Sequence, residues 1–456
     1  MCLSAAVFNV LMGGPFTQIG IVQLGLPASV VAGLVALAPL MAVLRPWFGR
    51  LSDHQPLWGF QRSGYLRLGL GGLWLLMPMP LLGLLVLGRH WSAMDPSLRL
   101  LAAMGEALLV ALPGIANQLL QTSMNALLLE LTPEDQRGRA VREVMTALVM
   151  AVILVSLVSG WLLNALASLP LSARLMGLWG FWIIVALPVA LLGCQGLEGA
   201  GARPALPRVA PAGPGPLRFL EPRLVLFLLV VHACLFVADV LLDPYASQLH
   251  GWSLARTTQL GALWALGSLL GLAASLWSGL GQLRLLGCLA TAFGYGLVAA
   301  GALMPHAVPL TVLTLLLGVG AGLVQAWLAD QIGRRCCGEH LGEQAGGWGA
   351  ALVLTRSLGL AAAGPLFDLP HRLLGLPMAG AYAVGFGLAG LAALAGMALP
   401  LPPRPQNGAS VAQSPGGSAH LRSDDQPRAQ RPHQQPPAGC RQADERPPRQ
   451  WSGGGG

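Results

Sequence analysis

The sequence has few charged residues and lacks lysine altogether. Charged residues make up only 10% of the 456 positions, and all 27 basic residues are arginine. Hydrophobic residues make up 54%, the mean hydropathy is +0.62, and 60 glycines are spread through the apolar runs. Because a soluble chain of this length needs much more charged surface, the composition predicts a polytopic membrane protein.

The basic residues are too dispersed for a nucleic-acid-binding surface. The net charge is +8, but the arginines fall between apolar runs and in the C-terminal segment, not on one helical face. The cysteines form no C-x-x-C pair, which predicts neither a disulfide framework nor a bound metal. They are Cys2, Cys194, Cys234, Cys288, Cys336, Cys337 and Cys440.

Several apolar runs are long enough to cross a bilayer, whose core of about 30 Å needs about 20 helical residues. In the first half they are 5–22, 28–44, 65–87, 100–120, 145–163 and 175–193. In the second half they are 224–242, 257–278, 283–304, 308–329, 348–366 and 379–399. The first run has no basic start and no cleavage site, so we interpret it as a spanning helix and not as a signal peptide. The predicted fold class is all-α, with 12 transmembrane helices in two six-helix halves.

A segment rich in proline, glycine and alanine separates the two sets of runs. It predicts an N-terminal six-helix half at 1–194, a cytoplasmic linker at 195–223 and a C-terminal six-helix half at 224–399. Residues 400–456 carry PPRPQNG, RPHQQPPAG and a final GGGG. Such a segment cannot bury enough apolar surface to offset its ordering entropy, so we predict a disordered tail.

Arginine is unevenly divided between the two sides of the predicted membrane. Segments after even-numbered runs hold Arg45, Arg50, Arg62, Arg67, Arg137, Arg139, Arg142, Arg203, Arg208, Arg218, Arg223, Arg284, Arg334 and Arg335. Segments after odd-numbered runs hold only Arg89, Arg99, Arg174, Arg256 and Arg372. By the positive-inside rule, both termini and the linker are predicted to be cytoplasmic.

Polar side chains in the fourth run need an explanation, because a charge at bilayer depth costs about 2.5 to 3.5 kcal/mol without a partner or a wet cavity. Asn117, Gln121 and Asn125 recur every four residues and therefore share one face. Gln118 and Thr122 lie beside them, and Glu106 lies three turns earlier. The stripe predicts either hydrogen bonding between the two halves or the lining of a central cavity.

The seventh run ends in ADVLLDPYASQLHGW, which places two carboxylates one helical turn apart. His232 precedes Asp239 by seven residues, so both lie on the face that continues to Asp243. Pro244 is predicted to end the helix. That would put Asp243 near water at the non-cytoplasmic interface and Asp239 one turn deeper. Arg356 is a lone cation in the eleventh run, and we predict that it pairs with Asp239.

The same acidic pair raises the alternative of an enzyme, since D-x-x-x-D can hold magnesium on a prenyl diphosphate. The asparagine four residues earlier in such motifs is Leu235 here, and no second acidic pair occurs in any apolar run. We therefore predict no catalytic residues and no enzymatic activity.

The loop FGRLSDHQPLWGFQR (48–62) resembles the G-x-x-x-D-R-x-G-R-R signature between the second and third helices of the major facilitator superfamily. His54 replaces the arginine that follows the acid. A weaker copy, SGLGQLR (278–284), lacks the acid, and LTPEDQRGRA (131–140) adds to the likeness. The matching positions are Gly49, Asp53, Gly59 and Arg62.

Two longer blocks resemble the PucC family, also called LhaA, of light-harvesting complex assembly proteins. The first block, 17–69, contains QLGLP, RPWFGRLSD, PLWG and RSGYLRLG, with Gln23 in place of the family's glutamate. The second block, 238–271, matches the family's QDVLLEPYGG stretch, with Asp243 in place of glutamate and Ala238 in place of glutamine. The resemblance spans most of 17–399 and leaves out the tail.

This resemblance implies a major-facilitator-like protein of a bacterial inner or thylakoid membrane that helps assemble complexes containing chlorophyll or bacteriochlorophyll. The implied partners are the lipid bilayer, antenna or photosystem proteins and pigment enzymes, and not nucleic acid. No cofactor is expected to be bound permanently, but chlorophyll or bacteriochlorophyll is an expected cargo. The alternative is a secondary transporter of a small solute, with or without proton coupling.

The resemblance also suggests roles for two side chains of the seventh run. His232 either hydrogen-bonds a neighbouring helix or serves as an axial ligand to a chlorophyll magnesium through a neutral ring nitrogen. Asp239 is expected to gate a pigment-sized groove between the halves by breaking and remaking its contact.

Overall fold

The computed structural model describes residues 1–60, 62–132, 136–195, 221–275, 280–304, 309–333 and 341–400. Most of the predicted linker and nearly all of the predicted tail lie outside these residues, as do Cys336, Cys337 and Cys440. In the described part of the chain Cys2, Cys194, Cys234 and Cys288 are free thiols.

Within the described residues, twelve helical segments are long and apolar enough to span a membrane, and each predicted run matches one of them. The first six are α1 (Cys2–Gln23), α2 (Ala28–Ser52), α3 (Ser63–Ala93), α4 (Pro96–Leu128), α5 (Glu143–Ala165) and α6 (Leu171–Gly193). The second six are α7 (Pro222–His250), α8 (Leu254–Ala274), α9 (Gln282–Leu303), α10 (Leu310–Ile332), α11 (Gly347–Leu373) and α12 (Met378–Ala398). The predicted fold class is confirmed. A helix suits this medium because it satisfies its backbone hydrogen bonds internally.

The spans run alternately up and down, so the bundle has two ends. We call the near end the one that contains Met1, the end of α2 with the start of α3, and the end of α4 with the start of α5. The far end contains the turns at 24–27, 94–95, 166–170, 251–253 and 374–377. All odd-numbered spans therefore finish at the far end.

The two sets of six helices meet along four pairs of spans: α2 packs against α11, α5 against α8, and α1 against both α7 and α8. Glycine permits the closest approaches. A Cβ at Gly364 of α11 would collide with the backbone of Ala28 and Ser29, and a Cβ at Gly160 of α5 would collide with the carbonyl of Ala255. Small residues at helix contacts are the usual means of close packing in membranes.

Two far-end turns have the same sequence and the same geometry. LGLP occurs at 24–27 and again at 374–377, and in both cases a π-helical turn precedes it. Gly25 and Gly375 have φ values of 67° and 68°, a left-handed conformation that glycine adopts without strain. In each turn a backbone N–H beyond the helix returns to the carbonyl six residues earlier, closing the helix end.

The course of α7 contradicts one prediction. Pro244 does not end this helix, which continues to His250 and closes at Gly251 with φ 65°. The interruption comes earlier, in a π-helical turn at Leu228–His232 and a break at Phe236. Membrane helices tolerate an interior proline where neighbouring groups satisfy the freed backbone carbonyl, and α7 is enclosed by α1, α11 and α12.

Candidate functional site

The predicted ion pair of the second half is present between α7 and α11. Nη2 of Arg356 lies 3.4 Å from Oδ2 of Asp239, and the guanidinium carbon lies 5.0 Å from the centre of the Phe236 ring. Nε of Arg356 is buried and has no hydrogen-bond partner among the described residues. The prediction of this bridge is confirmed, and the pair holds α7 against α11.

Asp243 occupies a different environment from the one that the sequence suggested. It is only 8% exposed, and its carboxylate packs against Gly14 of α1, where no Cβ would fit. The expectation that Asp243 meets water while Asp239 stays buried is wrong, because α7 continues past Pro244 and keeps Asp243 inside the bundle. Asp239 is the more accessible carboxylate, with 23% of its side chain exposed.

These residues form what we call the acidic cluster: Asp239, Asp243 and Arg356. It contains two carboxylates and one guanidinium, and it lies where α7 of the second half contacts α1 of the first. At bilayer depth one uncompensated negative charge is costly. The acidic cluster can therefore hold one proton or one cationic group, and its charge bears directly on the contact between the halves.

His232 contacts the neighbouring helix. Its Nδ1 lies 2.9 Å from Oγ1 of Thr355 on α11. The Thr355 hydroxyl is also within hydrogen-bond distance of the carbonyls of Ala351 and Leu352, so it is shared between His232 and its own helix. Of the two interpretations of His232, the structure shows the interhelical hydrogen bond.

The polar stripe of α4 lies inside the first half and contacts an arginine. Nε of Arg45 on α2 donates to Oε1 of Gln118 at 2.7 Å, and Nη2 donates to Oε1 of Gln121 at 2.8 Å. Gln121 in turn donates to Asn117 at 3.3 Å. The expectation of hydrogen bonds between the halves is wrong for these residues, because their partner lies on α2. Asn125 continues the stripe and is half-buried.

Arg45 was counted among the loop arginines, and this assignment is also wrong. It lies within the span α2, because Pro46 stands in the first turn of a new helical segment at Arg45–His54 and does not interrupt the chain's course. The sequence did carry a signal, since the α4 amides on one face needed a polar partner.

Glu106 is separate from the rest of the stripe. It is 3% exposed, its side chain packs against Gly83 of α3, and Oε1 has no partner among the described residues. The structure thus places Glu106 between α3 and α4, away from both Arg45 and the acidic cluster.

Replacing Glu106 with methionine should raise the thermal stability of the protein. An unpartnered buried polar group costs about 1 to 3 kcal/mol, and methionine keeps an unbranched shape that can pack beside Gly83. Thermal melting of the detergent-purified protein measures the effect, with the lipid-facing change Leu108→Met on the same helix as the control. A lower melting temperature for Glu106→Met than for the control would show that the carboxyl has a stabilising partner.

The facilitator-like loop joins α2 to the near end of α4. Arg62 donates to Oε1 of Glu130 through Nε at 3.0 Å and Nη2 at 2.7 Å, and its Nη1 donates to Ser52. Gly59 has φ 79° in the turn, and Gly49 lies in the helix Arg45–His54. The Asp53 side chain is outside the described residues. The loop thus ties α2, α3 and α4 together.

At the far end, side chains join the two halves directly. The backbone N–H of Ser29, at the start of α2, donates to Oδ2 of Asp368 on α11 at 2.7 Å. Oδ1 of Asp368 accepts from Nε of Arg372 at 3.2 Å. The Thr257 hydroxyl of α8 donates to Oε1 of Gln18 on α1. These contacts were not predicted from the sequence, although Asp368 stands out as an acid at the end of the eleventh run.

No group of three or more His, Cys, Asp or Glu residues in the described chain is arranged to hold a metal ion. What the site offers is a set of charges where α7 meets α1 and α11, and a separate set of amides around Arg45 inside the first half.

Comparison with known proteins gives one family and one fold. The family model described as PUCC protein matches residues 17–402. Protein PucC of Cereibacter sphaeroides is 28% identical over 378 residues, covering 79% of this chain and 80% of that protein. Protein PucC of Rhodobacter capsulatus is 27% identical over 419 residues, covering 86% and 88%.

Among solved structures, the nucleoside transporter NupG is similar with a TM-score of 0.59. The match covers 87% of this chain and 98% of NupG, at 13% sequence identity. At this identity the likeness shows the fold alone, which is the twelve-helix fold of the major facilitator transporters.

Proposed function

The chain belongs to the PUCC protein family, and we propose on that basis that it is a membrane assembly factor for light-harvesting complexes that bind chlorophyll or bacteriochlorophyll. It would act by handling or delivering pigment. The observation that carries this proposal is the family match over 17–402, which includes both sequence blocks and reaches all twelve spans. The fold is shared with transporters but does not favour solute transport over assembly.

The proposal places the near end of the bundle in the cytoplasm. The arginine-rich segments after the even-numbered spans belong to this end, and the positive-inside rule favours their retention there. Both termini and the linker at 195–223 would then be cytoplasmic, with the first half at 1–194 and the second at 224–399. The far-end turns would face the opposite side of the membrane.

In this proposal the acidic cluster links the handling of pigment to the contact between α7 of the second half and α1 of the first. Asp239 and Arg356 are close enough to pair, and Asp243 packs against Gly14 of α1. A change in the charge of the acidic cluster would loosen or tighten the contact of α7 with α1. Asp239 therefore acts as a gating residue, and the groove that it gates lies between the halves.

Pigment would be a cargo of this protein, and His232 does not fit the role of its axial ligand. The side chain is 5% exposed, and the Phe236 ring lies 5.0 Å from the imidazole ring. A macrocycle needs an open face beside the ring nitrogen. We also propose that the chain catalyses no attachment of a pigment tail, since the Asp239 and Asp243 pair has an arginine as its neighbour.

Deleting the gene should remove most of the antenna absorbance from membranes, because the complexes would lack their assembly factor. Absorption spectra of membranes from the deletion strain, normalised to total membrane protein, measure this. Complementation with the intact gene is the control and should restore the spectrum. An unchanged antenna spectrum, together with loss of uptake of a small solute, would instead establish the transporter alternative.

A further inference from the structure

A second polar site, independent of the proposed function, surrounds Arg45. The guanidinium carries a fixed positive charge, and it lies inside the span α2. Its partners are the amide oxygens of Gln118 and Gln121, which orient the group but carry no charge. Within the described part of the chain, Arg45 meets no carboxylate.

One edge of this guanidinium is unused. The Nε and Nη2 atoms donate to the two glutamines, which leaves the Nη1 side available. Two parallel N–H groups on one edge of a guanidinium match the two oxygens of a carboxylate or a phosphate. The remaining edge, formed by Nη1 and the second N–H of Nη2, is therefore held in position by the glutamines. No described carboxylate balances its positive charge.

Nη1 of Arg45 faces Gly349 of α11. A Cβ at Gly349 of α11 would lie 3.6 Å from Nη1 of Arg45, and no other described atom outside its own stretch of helix would lie within 4 Å of it. Because Gly349 has no side chain, the described residues leave a gap beside Nη1 with room for a Cβ at contact distance. The gap lies near the first residues of α11, at the near end of the bundle.

Arg45 lies about two turns from the near end of the span α2. Trp47, two residues further along α2, is 58% exposed, as is Val43, two residues before Arg45. Exposed tryptophans near the ends of membrane helices mark the interface between hydrocarbon and water. The exposed flank of α2 on either side of Arg45 is thus suited to contact lipid, and Arg45 is within reach of headgroups at this end.

We propose that Arg45 binds the phosphodiester of an anionic phospholipid, whose headgroup enters between α2 and α11 at the near end. Gln118 and Gln121 orient the guanidinium, and Gly349 leaves room for the phosphate oxygens. The bound phosphate supplies the negative charge that the surrounding amides lack. A free phosphate ion shares this chemistry, so the test separates the two sources.

The test uses the full-length protein, delipidated in detergent, and native mass spectrometry during titration with phosphatidylglycerol. We expect wild type to bind one phosphatidylglycerol about tenfold more tightly than phosphatidylcholine, and Arg45→Gln to lose that preference. Tenfold corresponds to about 1.4 kcal/mol, at the lower end of what a charge-assisted hydrogen bond contributes. Arg67→Gln is the matched control, because Arg67 is also near this end but stacks on Phe60.

A second variant guards against misfolding of Arg45→Gln. Gly349→Leu leaves the arginine and its amide partners in place but fills the gap beside Nη1, so it should weaken phosphatidylglycerol binding by a similar factor. Wild-type affinity in both Arg45→Gln and Gly349→Leu would overturn the proposal. So would phosphate binding that depends on Arg45 when inorganic phosphate is the probe, if phosphatidylglycerol binding were unaffected by the same variants.

Discussion

Replacing Arg356 with alanine, or Asp239 with asparagine, should in each case abolish accumulation of the light-harvesting complexes. Each change leaves one member of a partly buried ion pair without its partner, and solvent screening brings the cost of breaking it below the value of about 3 to 5 kcal/mol for a fully buried pair. The loss falls on the contact between α7 and α11, next to Asp243 and its contact with α1. The measurement is the antenna absorbance of membranes from a deletion strain that expresses each variant.

The double variant Asp239→Arg with Arg356→Asp provides the decisive comparison. It exchanges the two charges, so it should restore part of the antenna absorbance that either single change removes. Arg256→Ala is the control for loss of a far-end arginine, since Arg256 stacks on Trp252 and has no part in the acidic cluster. Absence of any rescue in the exchanged variant, at equal protein abundance by immunoblot, would count against the pair as a functional contact.

Pigment that co-purifies with the protein gives a second readout for the same variants. If Asp239 gates a groove between the halves, Asp239→Asn should change the amount of chlorophyll or bacteriochlorophyll retained through purification. Identical pigment loading in wild type and Asp239→Asn would remove the gating role while leaving the assembly function untouched.

Gly364→Leu should destabilise the protein severely and also abolish assembly activity. A side chain at Gly364 would meet the backbone of Ala28 and Ser29, which cannot move aside as a flexible side chain can. Overpacking of this kind costs about 1 to 3 kcal/mol. Separation of α2 from α11 would also break the bond from Ser29 to Asp368, a hydrogen bond to a charged group that contributes about 1.5 to 3 kcal/mol.

Thermal melting of the detergent-purified variant measures this loss, and antenna absorbance measures its consequence in membranes. Gly387→Leu is the matched control, because Gly387 lies on α12 with open space around its Cβ position. Leucine there should leave both melting and absorbance close to wild type. Equal melting temperatures for Gly364→Leu and Gly387→Leu would show that α2 and α11 are not held together as described.

The sequence predicted the membrane spans well because one physical constraint governs them. A bilayer core accepts only long apolar helices, so the runs between polar breaks correspond directly to α1 through α12. The bridge between Asp239 and Arg356 was predictable for a related reason. Each of these groups needs a partner at that depth, and few charged groups were available.

The positions of other polar groups could not be predicted from local sequence rules. The rule that proline ends a helix failed at Pro244, since neighbouring spans enclose α7 and keep it helical. Arg45 looked like a loop residue because it precedes a proline, yet its partners Gln118 and Gln121 lie more than 70 residues away in the chain. Such contacts depend on which helices pack together in the tertiary structure, and local sequence rules do not determine this.

The hydrogen bond from Ser29 to Asp368 also favours one of the two sides of the membrane as the side from which the cargo would enter. Separating the helices at the far end would leave the Ser29 amide, in the first turn of α2, without its acceptor and leave the Asp368 carboxylate with Arg372 alone. A penalty of about 1.5 to 3 kcal/mol corresponds to a preference of roughly tenfold to a hundredfold for the conformation in which α2 and α11 are in contact at the far end. With the near end in the cytoplasm, as proposed, the far end would be closed in the resting protein. Pigment would then enter from the cytoplasmic leaflet.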